Sequence, residues 1–138
     1  MQSANHLLES ELSRSIISAF YAVYNYFGFG LAESVYSGGL EYELTRRGHI
    51  VERELLVQVR YHDRVVAWQR LDMVVDGQVV VENKALERMP PYAARQLFNY
   101  LRATRYQIGL LLHFGPEPKV RRFVDFPKRD APASLGTD

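Results

Sequence analysis

The chain contains no cysteine. Disulfides, thiolate metal sites and cysteine nucleophiles are excluded together, and the composition suits a reducing cytoplasm. No apolar run approaches the roughly 20 residues that cross a bilayer. The opening stretch, with Glu9 and Glu11, is too polar for a secretory signal. A formal net charge of +1 leaves no global excess to attract nucleic acid or membrane, so any such attraction rests on local patches. There is no glycine-rich phosphate loop and no HExxH pair. His6, His49, His62 and His113 lie far apart in the chain, which argues against zinc. "SVYSGG" lacks the strand–turn–helix setting of a nucleophile elbow. What these absences leave is a soluble protein of 138 residues, enough for one domain, with 47% apolar and 12% aromatic residues to build a core.

Apolar residues from Leu7 to Tyr24 recur at helical spacing and predict a helix over 7–27, broken by "GFG" at 28–30. A second helix is expected over 31–47, stopped by Gly48. From Ile50 the chain turns valine-rich and aromatic. Turn signals at His62-Asp63-Arg64 and Asp76-Gly77 divide it into strands at about 51–61, 65–75 and 78–84. Pro90-Pro91 opens a helix over 91–104. "YQIGLLLHF" at 106–114 is apolar throughout, as a buried strand would be, and "KVRRFVDF" can add a short edge strand. The order is ααβββαβ. The strand–helix–strand unit favours a parallel pair, so an α/β fold is expected, with a mixed sheet of about four strands flanked by helices. Residues 1–126 are read as one domain, and the polar tail 127–138 as disordered.

In "QVVVENKALE" a buried strand ends on charged residues. Alternation puts Glu82 and Lys84 on one face. Asp72 lies on the preceding strand, and its face depends on the hairpin loop. A two-residue loop, Asp76-Gly77, pairs Val75 with Gln78 and turns Asp72 away from Glu82. A three-residue loop, 75–77, pairs Val74 with Gln78 and brings Asp72 opposite Val80, on the side of Glu82 and Lys84. In that case two carboxylates and an amine converge. The acids suit a hard cation such as Mg²⁺, and the backbone carbonyl of Asn83 can add an oxygen. Lys84 can orient or deprotonate a water, or steady negative charge. The plain alternative is a strand-ending Asp72 and a weak Glu82–Lys84 ion pair.

The helix over 91–104 carries Gln96 and Tyr100 at i,i+4, flanked by Arg95, Asn99 and Arg102. These groups can hold a phosphate or a water, or simply make a solvated face. Glu33, early in the second helix, is a further metal ligand or an acid favoured by the helix dipole. Of 17 cations 14 are arginine, which favours bidentate phosphate contacts. Tyr61, Trp68, Tyr92 and Tyr106 are candidates to stack on bases, or to pack a core.

Asp72…Glu82-Asn83-Lys84 resembles the PD-(D/E)xK nuclease signature, with Leu71 where the signature has proline. The element order matches that superfamily's core of helix, three strands, helix and strand. Gln96-x-x-x-Tyr100 resembles the QxxxY motif of its RecB-like branch. "GLAESVY", with Gly30, Glu33 and Tyr36, resembles the motif of the bacterial GxxExxY proteins, and the likeness runs over roughly residues 7–126. The resemblance implies Asp72 and Glu82 as metal ligands, Lys84 as catalytic, Glu33 as the helix acid near the metal, and Gln96 and Tyr100 in support. The expectation is therefore a Mg²⁺- or Mn²⁺-dependent cytoplasmic nuclease acting on nucleic acid, with DNA favoured over RNA. Arg95, Asn99 and Arg102 would lie on its nucleic-acid face, and a homodimer or larger complex would cover the sheet edge. A non-catalytic module of the same fold and a hydrolase of small phosphorylated metabolites are the competing readings.

Overall fold

The computed structural model describes residues 4–125, with side chains from residue 11 onward. The disorder expected for 127–138 lies outside the described residues. The elements are α1 (Ala4–Phe27), α2 (Glu33–Arg46), β1 (Val51–Tyr61), β2 (Arg64–Val75), β3 (Val79–Lys84), α3 (Ala93–Ala103), β4 (Ile108–Phe114) and β5 (Pro118–Val124). The strands form one sheet in the order β1-β2-β3-β4-β5. Only the β3–β4 pair is parallel, with α3 as its crossover. The sheet is mixed, as expected, and the short edge strand makes it five-stranded.

Two cores sandwich the sheet. Leu12, Ile16, Ala19, Phe20 and Val23 of α1, with Tyr36, Leu40 and Leu44 of α2, pack against Met73, Val75, Val79 and Val81. On the opposite face Ala93, Leu97 and Leu101 of α3 pack against Val57, Leu71, Val74, Val80 and Leu111. The valine run at 79–81 is thereby explained: alternate residues feed opposite cores, so no polar position is left. Burying each such side chain contributes about 1.5–3 kcal/mol. The central strand is thus anchored from both faces, and Glu82 and Lys84 ride on its end.

The start of α2 is set by two residues of "GLAESVY". Gly30 adopts φ +118, a conformation open to glycine but strained for other residues. Tyr36 is fully buried and stacks on Phe114, with ring centroids 4.4 Å apart. Its hydroxyl donates to the Gly28 carbonyl and accepts from the Leu31 amide at 3.2 Å. The loop is pinned from both sides, and Glu33 becomes the first residue of α2.

The β2–β3 turn is held from outside. The Asp76 carboxylate accepts from the Ile50 amide at 2.7 Å and meets His49 Nδ1 at 2.7 Å; His49 Nε2 in turn meets Ser15 Oγ at 2.7 Å. One chain of hydrogen bonds therefore ties α1, the loop before β1 and the turn. Asp76 also sits at φ 52, which aspartate tolerates better than most residues. Asp76→Ala is expected to destabilise the fold by about 1–3 kcal/mol. Thermal unfolding checks this; an unchanged midpoint would show that the turn holds without the chain.

The hairpin does have a three-residue loop, but displaced by one residue from the expected 75–77. Val75 pairs with Val79, and Asp76, Gly77 and Gln78 form the loop, with Asp76 and Gly77 both at positive φ. Asp76 can take that conformation, so the turn does not need valine in it. Carrying the register one step beyond Met73↔Val81 sets Asp72 across from Glu82 rather than Val80. Next to Asp72 the strand turns over: Leu71 belongs to the α3 core and Met73 to the α1/α2 core, although residues two apart normally share a face. On β1, Glu54 lies in the same stretch at φ 52. β3 pairs with β2 only over Met73–Val75, whereas the β1–β2 ladder continues out to Tyr61↔Arg64. The outer part of that hairpin therefore projects past β3.

Candidate active site

The site forms where β2 and β3 part. Glu82 is 6% exposed at the end of β3, and Lys84 Nζ lies 3.3 Å from its Oε2. Asp72 reaches the Glu82 carboxyl from β2 and hydrogen-bonds to it. Two carboxyls and an amine thus share one small volume, which the alternation of β3 and the odd-length hairpin loop bring about together.

Ionising both acids here would set two negative charges side by side in a poorly solvated spot. Burial pushes the Glu82 carboxyl up to about 8, helped by its hydrogen bond to Asp72 and the Asp72 charge, and opposed by Lys84. The Glu82–Asp72 pair therefore gives up its second proton less readily than separate carboxyls would, while Glu82 Oε2 faces the amine. Burial alone would lower the Lys84 pKa. The carboxyls of Glu82, Glu33 and Asp72 outweigh it and raise the pKa, so the amine stays charged.

The remaining candidate residues divide by element. Tyr100 on α3 senses the site: burial and the charges of Glu82 and Asp72 raise its pKa, while Lys84 and a hydrogen bond with Gln69 lower it. Gln96 lies one turn earlier on the same helix, partly buried. Arg95, Asn99 and Arg102 are on the outer, exposed face of α3. Glu33 begins α2 at the rim; partial burial and Asp72 raise its pKa, and Lys84 lowers it. Asn83 points its side chain toward α2. Nδ2 donates to Ser37 Oγ at 3.2 Å, while the buried Oδ1 has no partner among the described residues. Glu33, Ser37, Glu54, Arg70, Asp72 and Asn83 line a cleft of about 210 Å³ between α2 and the hairpin. Arg70, Glu54, Gln69 and Ser37 were not assigned to the site from sequence. Only Arg70 carried a usable signal, since it lies two residues from Asp72 and alternation puts the two on one side. Of the four stacking candidates Tyr106 is core, only 3% exposed, whereas Tyr61, Trp68 and Tyr92 are exposed.

Among the described residues no group of three or more histidine, aspartate or glutamate side chains is clustered tightly enough to hold a metal ion. The Asp72–Glu82 pair nonetheless fits a divalent cation. The raised Glu82 pKa reflects the repulsion between the two carboxyls, and a cation held by both can take a proton's place and relieve it. Two acid oxygens, with water completing the set, suit a hard ion of the magnesium type.

A mixed sheet between helices, with two acids and a lysine where its second and third strands diverge, describes an α/β protein of the restriction-endonuclease-like class. The chain belongs to the PD-(D/E)XK nuclease superfamily, whose sequence model matches residues 10–123. Nucleases of this superfamily generally use divalent metal ions. No curated protein and no solved structure matches the chain. No helix among the described residues is long and apolar enough to cross a membrane.

Proposed function

We propose that this protein is a cytoplasmic, Mg²⁺- or Mn²⁺-dependent nuclease of the GxxExxY group that hydrolyses phosphodiester bonds in nucleic acid, DNA above all. The observation that carries the reading is the meeting of Asp72, Glu82 and Lys84 at the fork between β2 and β3, in a chain of a nuclease superfamily. Membership of the GxxExxY group is supported by the work its three motif residues do: Gly30 turns the chain, Tyr36 pins the turn, and Glu33 opens α2 beside the acids.

Asp72 and Glu82 would hold the cation, with Glu33 and the Asn83 carbonyl as further oxygen donors. A bound cation supplies charge neutralisation and an acidified water. Lys84, kept protonated by its carboxyl neighbours, stabilises the negative charge that develops on the phosphate as water attacks. It is therefore better suited to that task than to deprotonating a water. Tyr100, held neutral, offers its O–H as a donor in the same space, and Gln96 backs it from the preceding turn. Arg95, Asn99 and Arg102 present the outer face of α3 to the nucleic-acid backbone.

The test is a panel of single-stranded, double-stranded, branched and RNA substrates with Mn²⁺, run beside Glu82→Ala. At least one substrate is expected to be cut by the native chain and none by the variant. Calorimetry should show Mn²⁺ binding that Asp72→Ala and Glu82→Ala each abolish. No binding at millimolar Mn²⁺ would remove the enzyme reading. One observation favours a second reading, a non-catalytic module of the same fold: Lys84 Nζ already lies 3.3 Å from Glu82 Oε2, in space that a cation would need. An intact, metal-blind protein that retains oligonucleotides without cutting them would establish that alternative.

A further inference from the structure

We propose that the projecting face of the β1–β2 hairpin is a track for unpaired nucleotides leading into the candidate site, with Trp68 as its stacking platform. The proposal rests on the nuclease reading and adds to it the form of the substrate.

Three observations carry it. The first is geometry. Leu56 lies opposite Arg70, and Gln58 opposite Trp68, so these four share one face. Val57 and Leu71, on the other face, are buried in the core beneath α3. Trp68 is 59% exposed and Leu56 52%, although the hairpin bearing them is tied into the sheet at its base. A large aromatic standing open beside an apolar side chain and an arginine offers a flat surface with a cation at its edge, which suits a nucleobase and its phosphate.

The second observation is charge. Between Leu55 and Leu71 the hairpin carries Arg60, Arg64 and Arg70 against Asp63. That excess fits a polyanion. It disfavours a second copy of the chain, because a symmetric contact would set the same arginines against each other. Arg70 now pairs with Glu54 at 3.1 Å, but both side chains are more than half exposed, so a phosphate can take over the arginine at little cost.

The third is continuity. Arg70 and Asp72 line the same cleft. Trp68 precedes Asp72 by four residues, about 13 Å along the strand. A base stacked on Trp68 therefore belongs to a nucleotide near a phosphate held at Asp72. Stacking of this kind needs a base with a free π-face, as in a single strand and not in a duplex.

Trp68 is the chain's only tryptophan, so its emission reports on this face directly. The experiment titrates the metal-free native protein with oligothymidylate, oligouridylate and a duplex. Anisotropy of end-labelled strands is recorded in parallel. Saturable quenching by single strands, deeper at low salt and slight with duplex, is expected, and Trp68→Ala should weaken single-strand binding by about 5- to 100-fold. The thymidylate and uridylate arms show which sugar is preferred. Three results would overturn the proposal: strands that bind without altering the indole emission, preferential quenching by duplex, and emission that changes with protein concentration alone, which would mark the face as a contact between copies. Absence of any binding would overturn it as well. Because no metal is present, quenching by a protein that never cleaves would retire the nuclease reading and keep the track; cleavage without quenching would do the reverse.

Discussion

Lys84→Met is expected to slow phosphodiester cleavage by about 10²–10⁴-fold, the range usual for losing one group that steadies charge or moves a proton. The substitution keeps most of a side chain whose stem is largely covered, and it removes only the ammonium. Since that ammonium stands 3.3 Å from Glu82, it repels any cation held there. Its loss should leave Mn²⁺ affinity unchanged or tighter, while cleavage collapses. A structural role for Lys84 would instead weaken metal binding and rate together. Single-turnover cleavage and calorimetry on the same preparation separate these cases, and a variant cutting at the native rate would remove the lysine from the mechanism.

The second large effect concerns pH and stability in the absence of metal. Glu82 titrates near 8 in the folded chain, well above an ordinary glutamate, because burial and Asp72 disfavour its charge. Between the ordinary value and 8 the folded state holds a proton that the unfolded state has released. Its stabilising contribution is complete at pH below the unfolded value and is lost as pH climbs through the folded one. The metal-free protein should therefore lose roughly 2–4 kcal/mol between about pH 5 and pH 9 from this group. Glu82→Gln, neutral throughout, should flatten the slope and be the more stable protein at the alkaline end. Denaturant unfolding across that range measures it; a native protein as stable at pH 9 as at pH 5 would mean that Glu82 ionises there without penalty. Millimolar Mg²⁺ should restore much of the loss, since cation binding favours the folded, ionised pair.

Much of this site was readable from sequence because it depends on parity. Alternation alone puts Glu82 and Lys84 together, and any odd-length loop brings Asp72 to their side. The actual pairing differs by one loop position from the expected one, yet the face is the same. What parity could not reveal is that β2 turns over at Asp72, because a local twist leaves no mark in the pattern of residue types. Nor could strand length show how far each ladder runs: β2 is long, but β3 meets only its last three residues, so the open hairpin and exposed Trp68 were invisible. Tyr106 looked as available for stacking as Trp68, and only the packing of α3 on the sheet distinguishes them. Glu33 is a different case. Its motif was legible, whereas its place at the rim depends on Tyr36 reaching Phe114, a contact distant in sequence.

The shallow overlap of β2 with β3 has a mechanical consequence. Glu82 and Lys84 are fixed to the central strand, whereas Asp72 belongs to an arm joined to that strand by three residue pairs and packed into the α3 core through Leu55, Val57 and Leu71. The gap between the two acids is therefore set by how the hairpin seats on the α3 core, and not by β3 alone.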